Sequence, residues 1–333
     1  MLTPTNLFAD RTIFNVICTL EKGGVFGELK KHSGGITIKN LAQHLALNEP
    51  ILEALFEFLV VNAPEVLIKK NKKYYITSTF LETAWQNCLY FTLAYEPVFT
   101  ELLPILKGEM EYGKDVVRVG SYLRISSAIH NEPAWDLVID RIKRMEISTI
   151  VDCGSSGGDF LLRACSEIPD VHGIGIENDA LVVTEANDRL KNHVLSNRVT
   201  IVEGDASQPE IWRKNVLRDI ESTNIVFTGI TLWHEFLYYG EQYFLDILKR
   251  FRDNFPGSIF IVVEYNGFEW ENLKMLSDSF REAASVYQLV HPLTNQGMPL
   301  PQEKWLEIFK KANIRLQEVE TVKPNSTVYI GVL

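Results

Sequence analysis

Cysteine is scarce in this 333-residue chain, and the few cysteines present follow no metal-binding or disulfide spacing. The four residues, Cys18, Cys88, Cys153 and Cys165, are far apart and include no Cys-x-x-Cys pair. The sequence therefore favours neither a zinc ribbon nor a disulfide-stapled fold. Cysteine usage of this kind is typical of a reducing compartment, and we expect a cytoplasmic protein.

Excess positive charge and long apolar runs are lacking as well. The chain has 33 Lys and Arg residues against 43 Asp and Glu residues, a net charge of −10, which argues against general affinity for nucleic acid. No segment is long and apolar enough to span a bilayer, and the first residues do not resemble a signal peptide. With 46% hydrophobic residues, the composition predicts a globular protein of one or two domains without nucleic-acid or membrane partners.

Residues 148–159 are the most informative stretch. A short β-branched run ends in Asp152, a loop of small residues follows at 154–158, and an apolar helical pattern begins at Phe160. A strand, a tight glycine loop and a helix in this order are typical of the first unit of a nucleotide-binding sheet, where the backbone approaches a ligand closely.

The same loop departs from the dinucleotide-binding pattern. A G-x-G-x-x-G fingerprint starting at Gly154 would need glycine at 156 and 159, but the chain has Ser156 and Asp159. A carboxylate at 159 would also lie at the helix N-terminus, where a pyrophosphate would otherwise bind. The loop therefore suits a cofactor without phosphates.

Two further acids follow at the ends of the next predicted strands. Glu177 ends the strand at 173–177, and a carboxylate at this position can accept both hydroxyls of a ribose. The strand that begins at Val199 ends in Gly-Asp, and we expect Asp205, followed by Ala206, to face an adenine amino group.

This series resembles the class I S-adenosylmethionine (AdoMet) methyltransferases. The alternative is a doubly wound α/β domain whose acids only cap helices. The resemblance implies AdoMet as cofactor, held by Asp152, Gly154, Ser155, Gly157, Glu177, Asp205 and Ala206.

The N-terminal part has a different pattern. A helix is predicted at about 7–20, a short helix after Thr37, a third helix after Asn48, and a hairpin at 66–77. Helices followed by a hairpin predict a winged helix. Its would-be recognition helix at 49–61 carries three Glu residues and no Lys or Arg, so phosphates would repel it, and we expect an interaction module instead.

A winged helix followed by an AdoMet domain resembles the small-molecule O-methyltransferases of plants and bacterial natural-product pathways. The implied fold is α/β, a seven-stranded Rossmann-like methyltransferase sheet preceded by an α-helical winged-helix dimerisation domain. We predict that dimerisation domain at 1–83, a helical substrate-lining linker at 84–143 and the AdoMet-binding domain at 144–333. A homodimer is implied, and Arg124 is the linker charge expected to face the substrate.

The catalytic residues are predicted after the fourth and fifth strands of the sheet. Residues 229–236 resemble the family's Leu-x-His-Asp-Trp segment, which makes His234 the candidate general base and places Glu235 at the Asp position. An imidazole suits proton removal near neutral pH. Glu264 ends the fifth strand, where the family has an acid that helps to hold the base.

A second expected acid is missing. The family usually has a Gly-x-Glu-Arg-Thr stretch before its last large helix, whereas this chain has His291 followed by a segment rich in proline. His234, Glu235 and His291 are two imidazoles and a carboxylate, which is a ligand set for Zn or Fe. The set resembles that of the α-keto-acid C-methyltransferases of nonribosomal-peptide pathways, although His291 can equally be an ordinary pocket or surface histidine.

The sequence thus predicts an AdoMet-dependent methyltransferase that acts on a small molecule. The favoured reaction is metal-assisted methylation of the β-carbon of an α-keto acid in amino-acid or peptide natural-product biosynthesis. The alternative is O-methylation of a phenol or other hydroxyl with His234 as base, and a non-enzymatic AdoMet-binding regulator is a more distant one.

Overall fold

A computed structural model describes residues 4–322 and 325–333 of the chain. They divide into two compact units: the first runs to Ala94 and also takes in Ile125–Ile129, and the second comprises Tyr95–Arg124 and His130–Leu333. The predicted domain boundaries at 83 and 143 stay predictions. Within these described ranges, none of the helices combines the length and apolar character that a membrane span requires.

The N-terminal part contains four helices and a hairpin. Their bounds are α1 Pro4–Lys22, α2 Val25–Lys31, α3 Ile38–Leu45, α4 Glu49–Asn62, β1 Leu67–Lys70 and β2 Lys73–Ile76. Thr37 and Asn48 cap α3 and α4, since each side-chain oxygen accepts a bond from a first-turn amide, at 3.3 and 3.1 Å. Asn71 and Lys72 have positive φ, as a two-residue hairpin turn requires. The predicted helices and hairpin are therefore present.

The rest of the chain alternates helices and strands. The elements are α5 Thr83–Thr100, α6 Leu102–Leu106, α7 Gly120–Ile142, β3 Thr149–Cys153, α8 Asp159–Glu167, β4 His172–Glu177, α9 Ala180–Leu190, β5 Val199–Glu203, α10 Pro209–Asn215, β6 Ile225–Ile230, α11 Glu241–Asn254, β7 Ile259–Tyr265, α12 Asp278–Leu293, α13 Gln302–Lys311, β8 Arg315–Val322 and β9 Ser326–Val332. A 3₁₀ helix at Trp233–Tyr239 follows β6.

Strands β3 to β9 form one seven-stranded sheet in the order β5-β4-β3-β6-β7-β9-β8. Strands β3 to β7 are parallel, and β9 lies antiparallel between β7 and β8. β3 is buried along its whole length, as expected for a parallel strand covered on both faces. Because β4 lies on one side of β3 and β6 on the other, the strand order reverses at β3, and the carboxyl ends of these strands flank a ligand crevice.

An aromatic core covers one face of this sheet. Trp212, Phe227, Phe251 and Phe255 form a ring cluster with centroids 4.7–6.4 Å apart. All four are buried, so they hold α10 and α11 against β6. This packing fixes the carboxyl end of β6, where the segment containing His234 begins.

Candidate active site

The loop after β3 is a tight turn with several residues in the left-handed region. φ is 67° at Gly154, 49° at Ser156 and 77° at Gly158. A Cβ atom on Gly154 would lie 2.9 Å from Leu232 Cδ1, so both the backbone angle and the available space require glycine there. The loop thus brings the end of β3 close to whatever occupies the crevice.

Glu177 joins this loop to the end of β4. Its Oε2 accepts a bond from the Ser156 amide at 2.9 Å, and its Oε1 accepts one from the Asp179 amide at 3.1 Å. Burial raises the pKa of Glu177 above its ordinary value, although the amide bonds oppose that change. The structure therefore brings together two parts of the predicted cofactor site that are 21 residues apart in sequence.

The other two predicted cofactor acids lie on either side of Glu177. Asp152 is buried, accepts a bond from Thr228 Oγ1 at 2.6 Å, and has its pKa raised to about 7, mainly because of burial. Asp205 follows β5 and accepts bonds from the Ser207 amide and Gln208 Nε2, both at 2.8 Å. Asp152 therefore joins β3 to the neighbouring strand β6, whereas Asp205 lies after β5 and is followed by buried Ala206.

These residues fit AdoMet better than a dinucleotide. Ser155 Oγ is buried and has no hydrogen-bond partner among the described residues, which leaves a polar atom for a ligand or water. A Cβ atom on Gly157 would lie 2.6 Å from Arg124 Cδ, so a larger residue there would displace the Arg124 side chain. Asp159 occupies the α8 N-terminus that a pyrophosphate would need.

Arg124, the predicted substrate contact, forms an ion pair at the N-terminus of α8. Its Nη1 pairs with Asp159 Oδ2 at 2.8 Å, and Asp159 also faces Arg189 at 3.4 Å. Arg124 is thus engaged at the glycine loop. Its predicted contact with a substrate stays a prediction.

His234 and Glu264 form a buried pair at the carboxyl ends of β6 and β7. His234 Nδ1 lies 2.7 Å from Glu264 Oε2, and Glu264 Oε1 accepts bonds from the backbone amides of Trp233 and His234 at 2.6 and 3.2 Å. The exposed fraction is 2% for His234 and 0% for Glu264. The carboxylate thus fixes both the start of the 3₁₀ helix and the orientation of the ring.

His291 completes this group from the last turn of α12. Its Nδ1 lies 2.7 Å from the Tyr287 carbonyl oxygen, which can only accept, so we assign a proton to that nitrogen. Its Nε2 lies 3.1 Å from Nε2 of His234. The two rings thus face each other through their Nε2 atoms, and a contact at Nδ1 holds each ring in place.

The pKa values of the two histidines shift in opposite directions. Burial alone would lower the pKa of His234, but the charge of Glu264 and its hydrogen bond outweigh burial and raise it. Burial, helped by the neighbouring His234, lowers the pKa of His291 to about 3. A proton taken up between the two rings therefore belongs to His234, whose Nε2 then donates to the neutral His291.

Glu235, the third predicted metal ligand, faces other partners. Its Oε1 accepts a bond from Gln296 Nε2 and lies 3.5 Å from Arg118 Nη2. Among residues 4–322 and 325–333, His234, Glu235 and His291 do not form a group with ligand atoms within 4.8 Å of one another. Adjacent side chains diverge on a helical turn, so the expected three-residue metal set is not assembled.

Several residues of this site carry no sequence signal. Arg118 Nη1 lies 3.4 Å from Tyr95 Oη, and Arg118 is 117 positions from the Glu235 it faces. Tyr287 packs its ring against His291 with centroids 4.6 Å apart. Its position, one helical turn before His291, could have indicated a shared face, but Arg118 and Gln296 could be placed only by the tertiary structure.

The fold matches solved methyltransferase structures over nearly the whole chain. An O-methyltransferase family protein from Burkholderia thailandensis superposes with a TM-score of 0.69 at 14% identity, covering 100% of this chain and 98% of that one. Human N-acetylserotonin methyltransferase in complex with SAM gives 0.69 at 13% identity, with 100% and 98% covered. The mitomycin 7-O-methyltransferase gives 0.63 at 15% identity, with 99% and 96% covered.

No family model and no curated protein sequence matches the chain. The structural likeness at these identities shows the fold, which is that of the class I O-methyltransferases with a helical N-terminal region. The predicted fold class is therefore confirmed.

Proposed function

We propose that this chain is an AdoMet-dependent methyltransferase that acts on a small molecule. The proposal rests on what lies at the carboxyl ends of the parallel strands. The glycine loop after β3 is bonded there to Glu177 at the end of β4. The buried His234–Glu264 pair lies at the same side of the sheet, after β6 and on β7. When bound, AdoMet supplies an electrophilic methyl group on a sulfonium. The chain must then bind the acceptor, exclude water and remove one proton.

The two facing histidines are suited to removing that proton. When neither Nε2 carries a proton, two lone pairs face each other at 3.1 Å in a buried site, which is unfavourable. Taking up one proton between the rings removes this repulsion, and Glu264 compensates the resulting charge on His234. The pair is therefore a stronger base than a single imidazole, and His234 accepts the proton as the acceptor atom takes the methyl group.

Arg118 supports an acceptor that carries an acidic group. Its guanidinium makes two long contacts, 3.4 Å to Tyr95 Oη and 3.5 Å to Glu235 Oε1. A substrate carboxylate could replace these with a bidentate pair. An acceptor with a carboxylate favours the α-keto-acid reaction, in which the histidine pair removes a proton from the β-carbon. That reaction is the second candidate function, beside O-methylation of a hydroxyl.

The metal assistance predicted for that second reaction has weaker support. Glu235 does not join the two histidines, so we route no step through a metal. The close approach of two Nε2 atoms, each with its Nδ1 held by an acceptor, is nevertheless the arrangement of two metal-bound histidines. A proton and a metal ion would therefore compete for the position between the two Nε2 atoms.

One experiment separates these functions. Untagged protein is incubated with methyl-labelled AdoMet and a panel of phenols and α-keto acids, with and without a chelator, and its metal content is measured. Label on a phenol oxygen that is insensitive to chelator supports O-methylation. Label on a β-carbon that is lost with chelator and restored by a divalent ion supports the metal-assisted reaction. Absence of transfer to any acceptor, together with AdoMet binding, would favour the regulator.

We also propose a homodimer held by the N-terminal unit. Phe8 on α1 and Ile51 and Val61 on α4 are 75%, 60% and 75% exposed, and they offer apolar surface to a second copy of the chain. Light scattering at micromolar concentration should give twice the chain mass, and Val61→Glu should lower it. Val194→Glu, at an equally exposed position of the other unit, is the matched control. A monomeric wild-type protein would refute the dimer.

A further inference from the structure

A second histidine cluster lies in the N-terminal unit, outside the site described above. Glu28 Oε1 lies 3.1 Å from His32 Nε2 and 2.9 Å from His44 Nδ1. Each of the three side chains offers one metal-ligating atom, and these three atoms lie within 4.8 Å of one another. Within the described parts of the chain, it is the only group of three such residues with this spacing.

The local fold holds these three residues together. Glu28 and His32 are four positions apart at the end of α2, so they share one helical face. The chain then turns at Gly35, where φ is 73° and a Cβ atom would lie 2.4 Å from the Tyr75 ring. Ile36 pairs with Tyr74 of the hairpin, and α3 begins two residues later. Helix α3 then places His44 beside Glu28. The cluster is therefore preorganised by the backbone.

The donor set is suited to a divalent cation. Two imidazoles and one carboxylate are a common zinc set, and bonds of about 2.0–2.1 Å in a tetrahedral site separate ligand atoms by roughly 3.3 Å. The observed separations from Glu28 Oε1 are slightly shorter, so binding needs only small movements. The Glu28 side chain is 13% exposed, His32 35% and His44 47%, which leaves an open side for water as a fourth ligand.

We propose that Glu28, His32 and His44 form a binding site for a divalent transition-metal cation, with zinc the best fit, that ties α2 to α3. The structure also contains a competitor, because Lys31 Nζ lies 2.9 Å from Glu28 Oε2. The Lys31 side chain is 72% exposed, so this ion pair is weak and breaks readily when a cation binds.

Zinc titration of the untagged full-length protein by calorimetry tests the proposal. Wild type should bind one zinc ion at this site, and His32→Asn and His44→Asn should each weaken binding by at least about 10–100-fold. His172→Asn, at an exposed histidine in the other unit, is the matched control and should leave binding unchanged. Circular dichroism confirms that the variants are folded.

Two further variants decide which residues bind. Lys31→Ala should tighten zinc binding, because it removes the competing cation from Glu28, whereas a cluster joined only by hydrogen bonds would show no such gain. His291→Asn should leave this binding event in place. Zinc binding that is lost in His291→Asn and retained in His44→Asn would assign the metal to the other histidine pair and overturn the proposal. Unchanged binding in both His32→Asn and His44→Asn would overturn it as well.

Discussion

The glycine-loop edge and the histidine site both lie at the carboxyl ends of parallel strands, but they are built from different kinds of contact. At the loop edge, backbone amides of neighbouring segments bind Glu177. At the histidine site, side chains from β7, the 3₁₀ helix and α12 bind one another, and His234 and His291 are 57 positions apart. The first site therefore depends mainly on the backbone, whereas the second depends on the identity of its side chains.

The largest expected effect comes from removing the base. His234→Ala should lower kcat by about 10²–10⁴-fold, because proton removal is lost while the cofactor loop is untouched. AdoMet affinity, measured by calorimetry, should stay within a few-fold of wild type. His172→Ala is the control. A variant with near-normal kcat would show that the histidine site is not the catalytic centre.

A smaller effect is expected from the cation beside the histidines. Arg118→Ala should raise the KM of an acidic substrate by about tenfold or more, since a charge-assisted bond to the substrate is lost. Arg124→Ala should instead change the KM of AdoMet, because Arg124 contacts the glycine loop. Steady-state kinetics with both ligands varied measures the two constants. The reverse result would support the substrate role that the sequence predicts for Arg124.

The smallest effect is on stability at acidic pH. Because the folded-state pKa of His291 is about 3, well below its ordinary value of 6.5, the unfolded chain binds an extra proton as pH falls below 6.5. His291 thus lowers the free energy of unfolding progressively between pH 6.5 and 3. His291→Asn should remove about 1–2 kcal/mol of the loss seen between pH 7.5 and pH 5. Urea unfolding at both pH values measures it, and parallel losses in the two proteins would contradict the assignment of a neutral His291.

The raised pKa of His234 acts in the opposite direction. It contributes stability below pH 6.5 that is lost as pH rises through the folded-state pKa. The two histidines therefore act in opposite directions, and His291→Asn removes the one that destabilises the fold at acidic pH.

The sequence could predict which residues lie together where the candidate site is local. The loop at 154–158, Glu177 and Asp205 each follow a strand closely, so their neighbourhood is fixed by strand order alone. His234 and Glu264 follow the same rule, since both end adjacent parallel strands. This explains why the sheet and the histidine–glutamate pair could be predicted without a structure.

Side-chain direction and packing between distant segments leave less trace in the sequence. Glu235 was grouped with His234 because the two are adjacent, but adjacent residues on a 3₁₀ turn point apart, and Glu235 instead meets Arg118 and Gln296. The ion pair between Arg124 and Asp159 joins residues 35 positions apart. Neither contact leaves a local pattern.

The central claim, that this edge of the sheet binds AdoMet, is tested most directly by calorimetry of wild type, Glu177→Ala and Glu203→Ala with AdoMet and with NAD. Glu203 lies opposite Glu177 on β5 and is exposed, so it is a matched control. We predict micromolar binding of AdoMet to wild type and Glu203→Ala, and a loss of about 1.5–3 kcal/mol in Glu177→Ala. Tight binding of NAD with no binding of AdoMet would contradict the account.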